Sequence, residues 1–76
     1  MNVMNTLQAV QAAAGWARGK GLEKAEITAW FDEGGDLRVE VGCGGKRVRV
    51  RLSPAFLVGG RGVRKLKKEL EKAWLV

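Results

Sequence analysis

Histidine is absent from this 76-residue chain. With it goes the side chain most often used to move protons at neutral pH or to hold zinc. One cysteine, Cys43, excludes an internal disulfide and supplies no metal cluster, so no metal and no cofactor is expected. No apolar run approaches the ~20 residues that cross a bilayer, and the opening "MNVMNTLQAVQAAAG" has no basic n-region of a signal peptide. The expectation is a cytoplasmic protein with no membrane partner. Proline occurs once and tyrosine never, and neither a repeat nor a linker-like tract divides the chain. Residues 1–76 therefore read as a single small basic domain. Acids are also scarce, eight against fourteen lysines and arginines.

The positive charge is concentrated at one end. Residues 1–37 hold three cations and five acids, net −2, whereas residues 38–76 hold eleven cations and three acids, net +8. A basic half of this kind suits a polyanion: nucleic acid, or an acidic protein or membrane surface. Catalysis finds little to work with. The carboxylates are scattered over turns and exposed positions, Cys43 falls on an apolar strand face, and Ser53 reads as a helix cap. No catalytic residue is assigned, and the chain reads as no enzyme.

Periodicity gives an α-β-β-β-α order. "NTLQAVQAAAGWAR" is alanine-rich, with Asn5 or Thr6 to cap it and "GKG" at 19–21 to end it. Val3, Leu7, Val10, Ala14 and Ala17 share one helical face, which is expected to be buried. Trp16 falls on the other side, near Ala9 and Ala12. A core this small rarely supplies more than about 3–5 kcal/mol, so a homodimer through the Trp16 face is expected, unless Trp16 folds back into the core.

Three segments then alternate. "AEITAWFD" sets Ala25, Ile27, Ala29 and Phe31 against Glu26, Thr28, Trp30 and Asp32. "LRVEVGC" and "KRVRVRL" set Leu37, Val39, Val41, Cys43, Val48, Val50 and Leu52 against Arg38, Glu40, Gly42, Arg47, Arg49 and Arg51. Opposed residues must lie on one side of a sheet, which selects the loops. A two-residue Gly44–Gly45 turn pairs Val41 with Val48. The first hairpin needs the three-residue loop Glu33-Gly34-Gly35, which pairs Phe31 with Leu37 and leaves glycine at its last position. The outer face becomes a grid with rows Trp30–Arg38–Arg51, Thr28–Glu40–Arg49 and Glu26–Gly42–Arg47. The fold class is α+β, a three-stranded antiparallel meander with both helices packed on its apolar face.

After the sheet, Ser53 and Pro54 open a short turn that Gly59–Gly60 stop. A last helix begins near Gly62, with Val63, Leu66, Leu70, Ala73 and Trp74 on one stripe.

Two basic surfaces follow. Arg38, Arg47, Arg49 and Arg51 beside Trp30 can hold phosphates while the indole stacks on a base. They read equally as a solvated face, with Glu40 opposite Arg49 and Arg38 covering Trp30. In "GGRGVRKLKK", Arg61, Arg64, Lys65 and Lys68 surround a glycine-led helix N-terminus, where backbone N–H groups favour anions. Its plainer reading is a solvated helix face. The spacing is not that of a P-loop.

The α-β-β-β-α order and the basic, glycine-led final helix are similar in outline to double-stranded-RNA-binding domains. In that family a lysine cluster at the start of the last helix grips phosphates, and "GRGVRKLKK" at 60–68 takes the corresponding place. The chain departs from the family in lacking the histidine-bearing loop between its first two strands, and its lysines are displaced from the family spacing. A similar order also serves small toxin domains whose catalytic histidine has no counterpart here. The leading expectation is a non-enzymatic nucleic-acid-binding protein, for DNA or RNA, with little sequence specificity. The alternative is a small dimeric interaction or regulatory protein whose basic faces serve solubility or meet an acidic partner.

Overall fold

The computed structural model describes residues 3–76. Its elements follow the order α1 (Thr6–Gly19), β1 (Glu26–Phe31), β2 (Leu37–Cys43), β3 (Lys46–Leu52), a 3-10 turn (Pro54–Phe56) and α2 (Gly62–Trp74). The sheet is an antiparallel meander of order β1-β2-β3. Every row of the expected grid is observed, including Trp30 opposite Arg38, Arg38 opposite Arg51, and Val41 opposite Val48. The turns explain why. Gly44 and Gly45 have φ of 60° and 83°, the doubly left-handed geometry of a tight hairpin. In the first hairpin Asp32 N–H bonds to Asp36 C=O and Gly35 has φ 85°, closing the loop over Glu33–Gly35.

Both helices cover the same sheet face, α1 lying on β1 and β2 and α2 on β3. Leu37, Val39, Val41, Val48, Val50 and Leu52 are buried beneath them, with Leu66 and Leu70 from α2. No helix among the described residues is long and apolar enough to cross a membrane.

Helix α1 is capped as its ends demand. Asn5 Oδ1 accepts from Gln8 N–H while Gln8 Oε1 accepts from Asn5 N–H, a reciprocal capping box. At the other end Leu22 N–H bonds to Ala17 C=O and Gly21 N–H to Arg18 C=O, with Gly21 at φ 73°. That is a Schellman stop.

The orientation of α1 corrects the sequence reading. The buried stripe is Ala9, Ala12, Ala13, Trp16 and Ala17, whereas Leu7 is 64% and Val3 54% exposed. Trp16 supplies the reason. Its ring meets that of Trp74 edge-on at 5.8 Å between centroids, and Nε1–H donates to Glu71 at 3.2 Å. Alanines on either side let α1 approach closely enough for this contact. The Trp16 face is thus internal core and not a free surface for a homodimer. Val63, placed on the α2 stripe by spacing, is 40% exposed, because it borders an open cleft beside Met4 and Leu57. Ser53 stands at the N-cap of the 3-10 turn without a side-chain capping bond.

Gly62 is a tight point of the helix layer. A Cβ there would stand 2.7 Å from Met4 Sδ and 2.9 Å from the Phe56 carbonyl oxygen. The thioether can swing away, but the carbonyl is backbone. Alanine normally gains about 1 kcal/mol over glycine inside a helix, and here crowding costing roughly 1–3 kcal/mol outweighs it. Gly62→Ala is expected to lower the urea midpoint, whereas Gly19→Ala, with open space at Cβ, is not.

Candidate functional site

Four of the basic residues singled out by sequence surround one cleft. Arg61, Arg64, Lys65 and Lys68, with Phe56, Gly59 and Gly60, line a concavity of about 440 Å³. Helix periodicity explains the gathering: positions 61, 64, 65 and 68 are spaced three and four apart, so they share one face of α2. The loop before them folds back because Gly59 and Gly60 adopt φ of 77° and 78°, which glycine alone accepts without strain. Phe56 forms a wall the sequence reading missed. Its position in the turn just before the glycine pair was the available clue. Lys65 Nζ sits 4.8 Å from the centre of that ring.

The cleft is short of acids. Lys65 lies 3.5 Å from Glu69, while Arg61, Arg64 and Lys68 make no ion pair among the described residues. Arg61 only approaches the Ala55 carbonyl, at 3.5 Å. Four cations against one acid leave a local charge of about +3 at pH 7. No side chain caps α2, since Arg61 occupies the N-cap without such a bond. The first amides of the helix therefore add their dipoles to the cations.

The outer sheet face is arranged differently. Arg38 bonds Asp32 at 2.8 Å, Arg47 and Arg49 reach the two oxygens of Glu40 at 2.5 and 2.6 Å, and Arg51 approaches Asp36 at 3.6 Å. All four arginines are thus engaged by three carboxylates. Arg38 does not cover Trp30 as expected, because Asp32 in the hairpin loop takes its guanidinium. Asp32 is itself fixed by accepting Gly34 and Asp36 N–H groups at 2.9 and 3.0 Å. Trp30 keeps 39% exposure on the face the helices leave uncovered. The two basic surfaces are therefore distinct, one neutralised internally and one not. Cys43 carries its sulfur 3.3 Å from the Glu23 carbonyl oxygen.

These pairs make stability sensitive to acid. Arg47, then Arg49, holds the Glu40 carboxyl below its usual range, Arg38 does the same for Asp32, and Lys20, helped by Trp16 N–H, does so for Glu71. A carboxylate whose folded pKa is depressed contributes stability that is complete above its unfolded pKa and lost as pH falls through the folded one. The thermal midpoint is expected to hold from pH 7 down to about the ordinary glutamate value of 4.5 and to fall below it. Glu40→Gln is expected to lower the midpoint at pH 7 and to shrink its drop toward pH 3. A parent midpoint unchanged between pH 7 and 3 would show the pairs to be inert.

Searches of protein-family models, curated proteins and solved structures find no match to this chain.

Proposed function

We propose that this protein binds nucleic acid without catalysing a reaction on it, holding backbone phosphates in the cleft of Arg61, Arg64, Lys65 and Lys68. The observation that carries this reading is the charge imbalance of the cleft, four cations on a concave surface with a single acid beside them. Isolated cations on a convex helix would be ordinary solubilising charge. Gathered around a cavity next to an uncapped helix N-terminus, they suit an anion with several oxygens. The sheet arginines assist at longer range, since each already has a carboxylate partner. Phosphate contacts of this type give affinity with little sequence reading.

The test is a salt titration of the parent protein with labelled duplex and single-stranded DNA and RNA. Each phosphate contact contributes a log–log slope of about −0.9 on duplex DNA and about −0.7 on single strands. Engagement of the four cleft cations is expected to give a slope near −3 to −4 on duplex DNA. Binding that is absent, or insensitive to salt, would overturn the proposal.

A second reading, self-association, is favoured by Leu7 and Val3, which stand 64% and 54% exposed near the start of α1. On that reading sedimentation at rising concentration shows a dimer that Leu7→Gln weakens. The relevant surface is then this one and not Trp16.

A further inference from the structure

The glycine loop that borders the cationic cleft also borders a second concavity. Met4, Ala12, Leu57 and Val63 line a mainly apolar cleft of about 400 Å³ together with Gln8 and Gln11, and Gly60 is common to both clefts. The two clefts therefore adjoin at Gly60. Val63 is the side chain that the first turn of α2 leaves 40% exposed. Gln11 stands exposed on α1, and its carboxamide makes no hydrogen bond among the described residues. The neighbouring Gln8, by contrast, is held in the capping box.

We infer that the apolar cleft receives an unpaired base whose adjoining phosphate lies in the cationic cleft, so that the ligand is single-stranded, frayed or flipped-out nucleic acid. The inference rests on the nucleic-acid reading above and narrows it. A nucleotide joins a flat, largely apolar base and an anionic phosphate through one sugar, and the mainly apolar cleft and the cationic cleft meet at one loop residue, Gly60. A base also carries donors and acceptors on its edge, which the Gln11 carboxamide can meet in either polarity. An acyl chain offers that carboxamide no hydrogen-bond partner. A base inside a closed duplex offers neither its face nor its pairing edge, so the apolar cleft discriminates against it.

Abasic strands separate the two clefts, because they keep every phosphate and lose every base. The affinities of the full-length protein for a labelled single strand and for its abasic counterpart of equal length are measured at one salt concentration. The base-bearing strand is expected to bind roughly ten-fold more tightly, the effect of withdrawing roughly 55 Å² of apolar surface from water. Gln11→Ala with Val63→Ser changes two exposed side chains and leaves the fold in place. It is expected to reduce that ratio to about two-fold or less without altering affinity for the abasic strand. Equal affinity of the parent for both strands overturns the inference while leaving phosphate binding intact. Absence of salt-sensitive binding to either strand overturns the nucleic-acid reading, and this inference with it. Displacement of the strand by phosphatidylglycerol vesicles that the double variant no longer binds assigns the cleft to an acyl chain and likewise overturns it.

Discussion

Trp16→Ala is expected to abolish cooperative folding near room temperature. Trp16 is 8% exposed, packs edge-on against Trp74 and donates to Glu71. Glu71 is also the partner of Lys20, so the indole ties α1 to α2 through both a ring contact and a shared carboxylate. Truncating a buried tryptophan to alanine costs about 3–5 kcal/mol. A chain of this length has a total stability of only roughly 4–11 kcal/mol, and often nearer the lower figure. The loss is therefore comparable with the whole. Trp16→Phe keeps most of the packing but removes the N–H donor, and is expected to cost about 1 kcal/mol. Urea unfolding followed by near-ultraviolet circular dichroism distinguishes the two. A cooperative transition at the parent midpoint in Trp16→Ala would mean that the ring contributes nothing to the core.

That same residue shows where sequence reading succeeded and where it failed. The sheet was legible because strand geometry permits few registers. Once Phe31 must share the face of Leu37, only a three-residue loop fits, and Gly35 at φ 85° stands where a left-handed residue is required, although Phe31 itself, at the end of β1, stays 44% exposed. The helix was less constrained. Weighting Val3, Leu7 and Val10 above the alanines selected the wrong face. Yet positions 9, 12, 13, 16 and 17 form the i, i+3, i+4, i+7, i+8 pattern of a core stripe. A tryptophan flanked by alanines buries more area than a lone leucine, and it brings two helices close together. Size complementarity across the helix pair, set by Trp74 some sixty residues away, decided the matter. No local window contains it.

The charged surfaces divide in a similar way. Glu40 opposite Arg49 follows from register alone, and its second partner Arg47 lies on the same strand two residues away. The capture of Arg38 by Asp32 and the approach of Arg51 to Asp36 were not legible. They depend on where the loop acids point, which for Asp32 is set by side-chain bonds inside the hairpin turn. In α2, by contrast, helical spacing alone brings the basic residues together. What spacing did not reveal is that they border a cavity, because its opposite wall is Phe56 and the Gly59–Gly60 loop.

Neutralising Arg61, Arg64 and Lys68 to glutamine is expected to remove most nucleic-acid binding, whereas neutralising Arg47, Arg49 and Arg51 is expected to reduce it modestly. The first set consists of cleft cations without ion-pair partners. Losing three phosphate contacts should shallow the log–log salt slope by about 2.7 on duplex DNA and by about 2 on a single strand. At 0.1 M salt that corresponds to roughly a 500-fold loss on duplex, relative to a reference near 1 M where the counterion contribution vanishes. The second set must first be released from carboxylates. Arg47 and Arg49 are held by Glu40 and Arg51 lies near Asp36, so a phosphate approaching them competes with acids already in place. Their removal also leaves Glu40 without either cation, which is expected to lower the thermal midpoint. The cleft mutant, having broken no ion pair, should keep the parent midpoint. Two measurements on two mutants thus give opposite orderings: binding falls most in the cleft mutant, and stability falls most in the sheet mutant. Equal losses of binding would join both surfaces into one continuous footprint. A larger binding loss from the sheet mutant, with its fold intact by circular dichroism, would move the primary site to the arginines of "KRVRVRL".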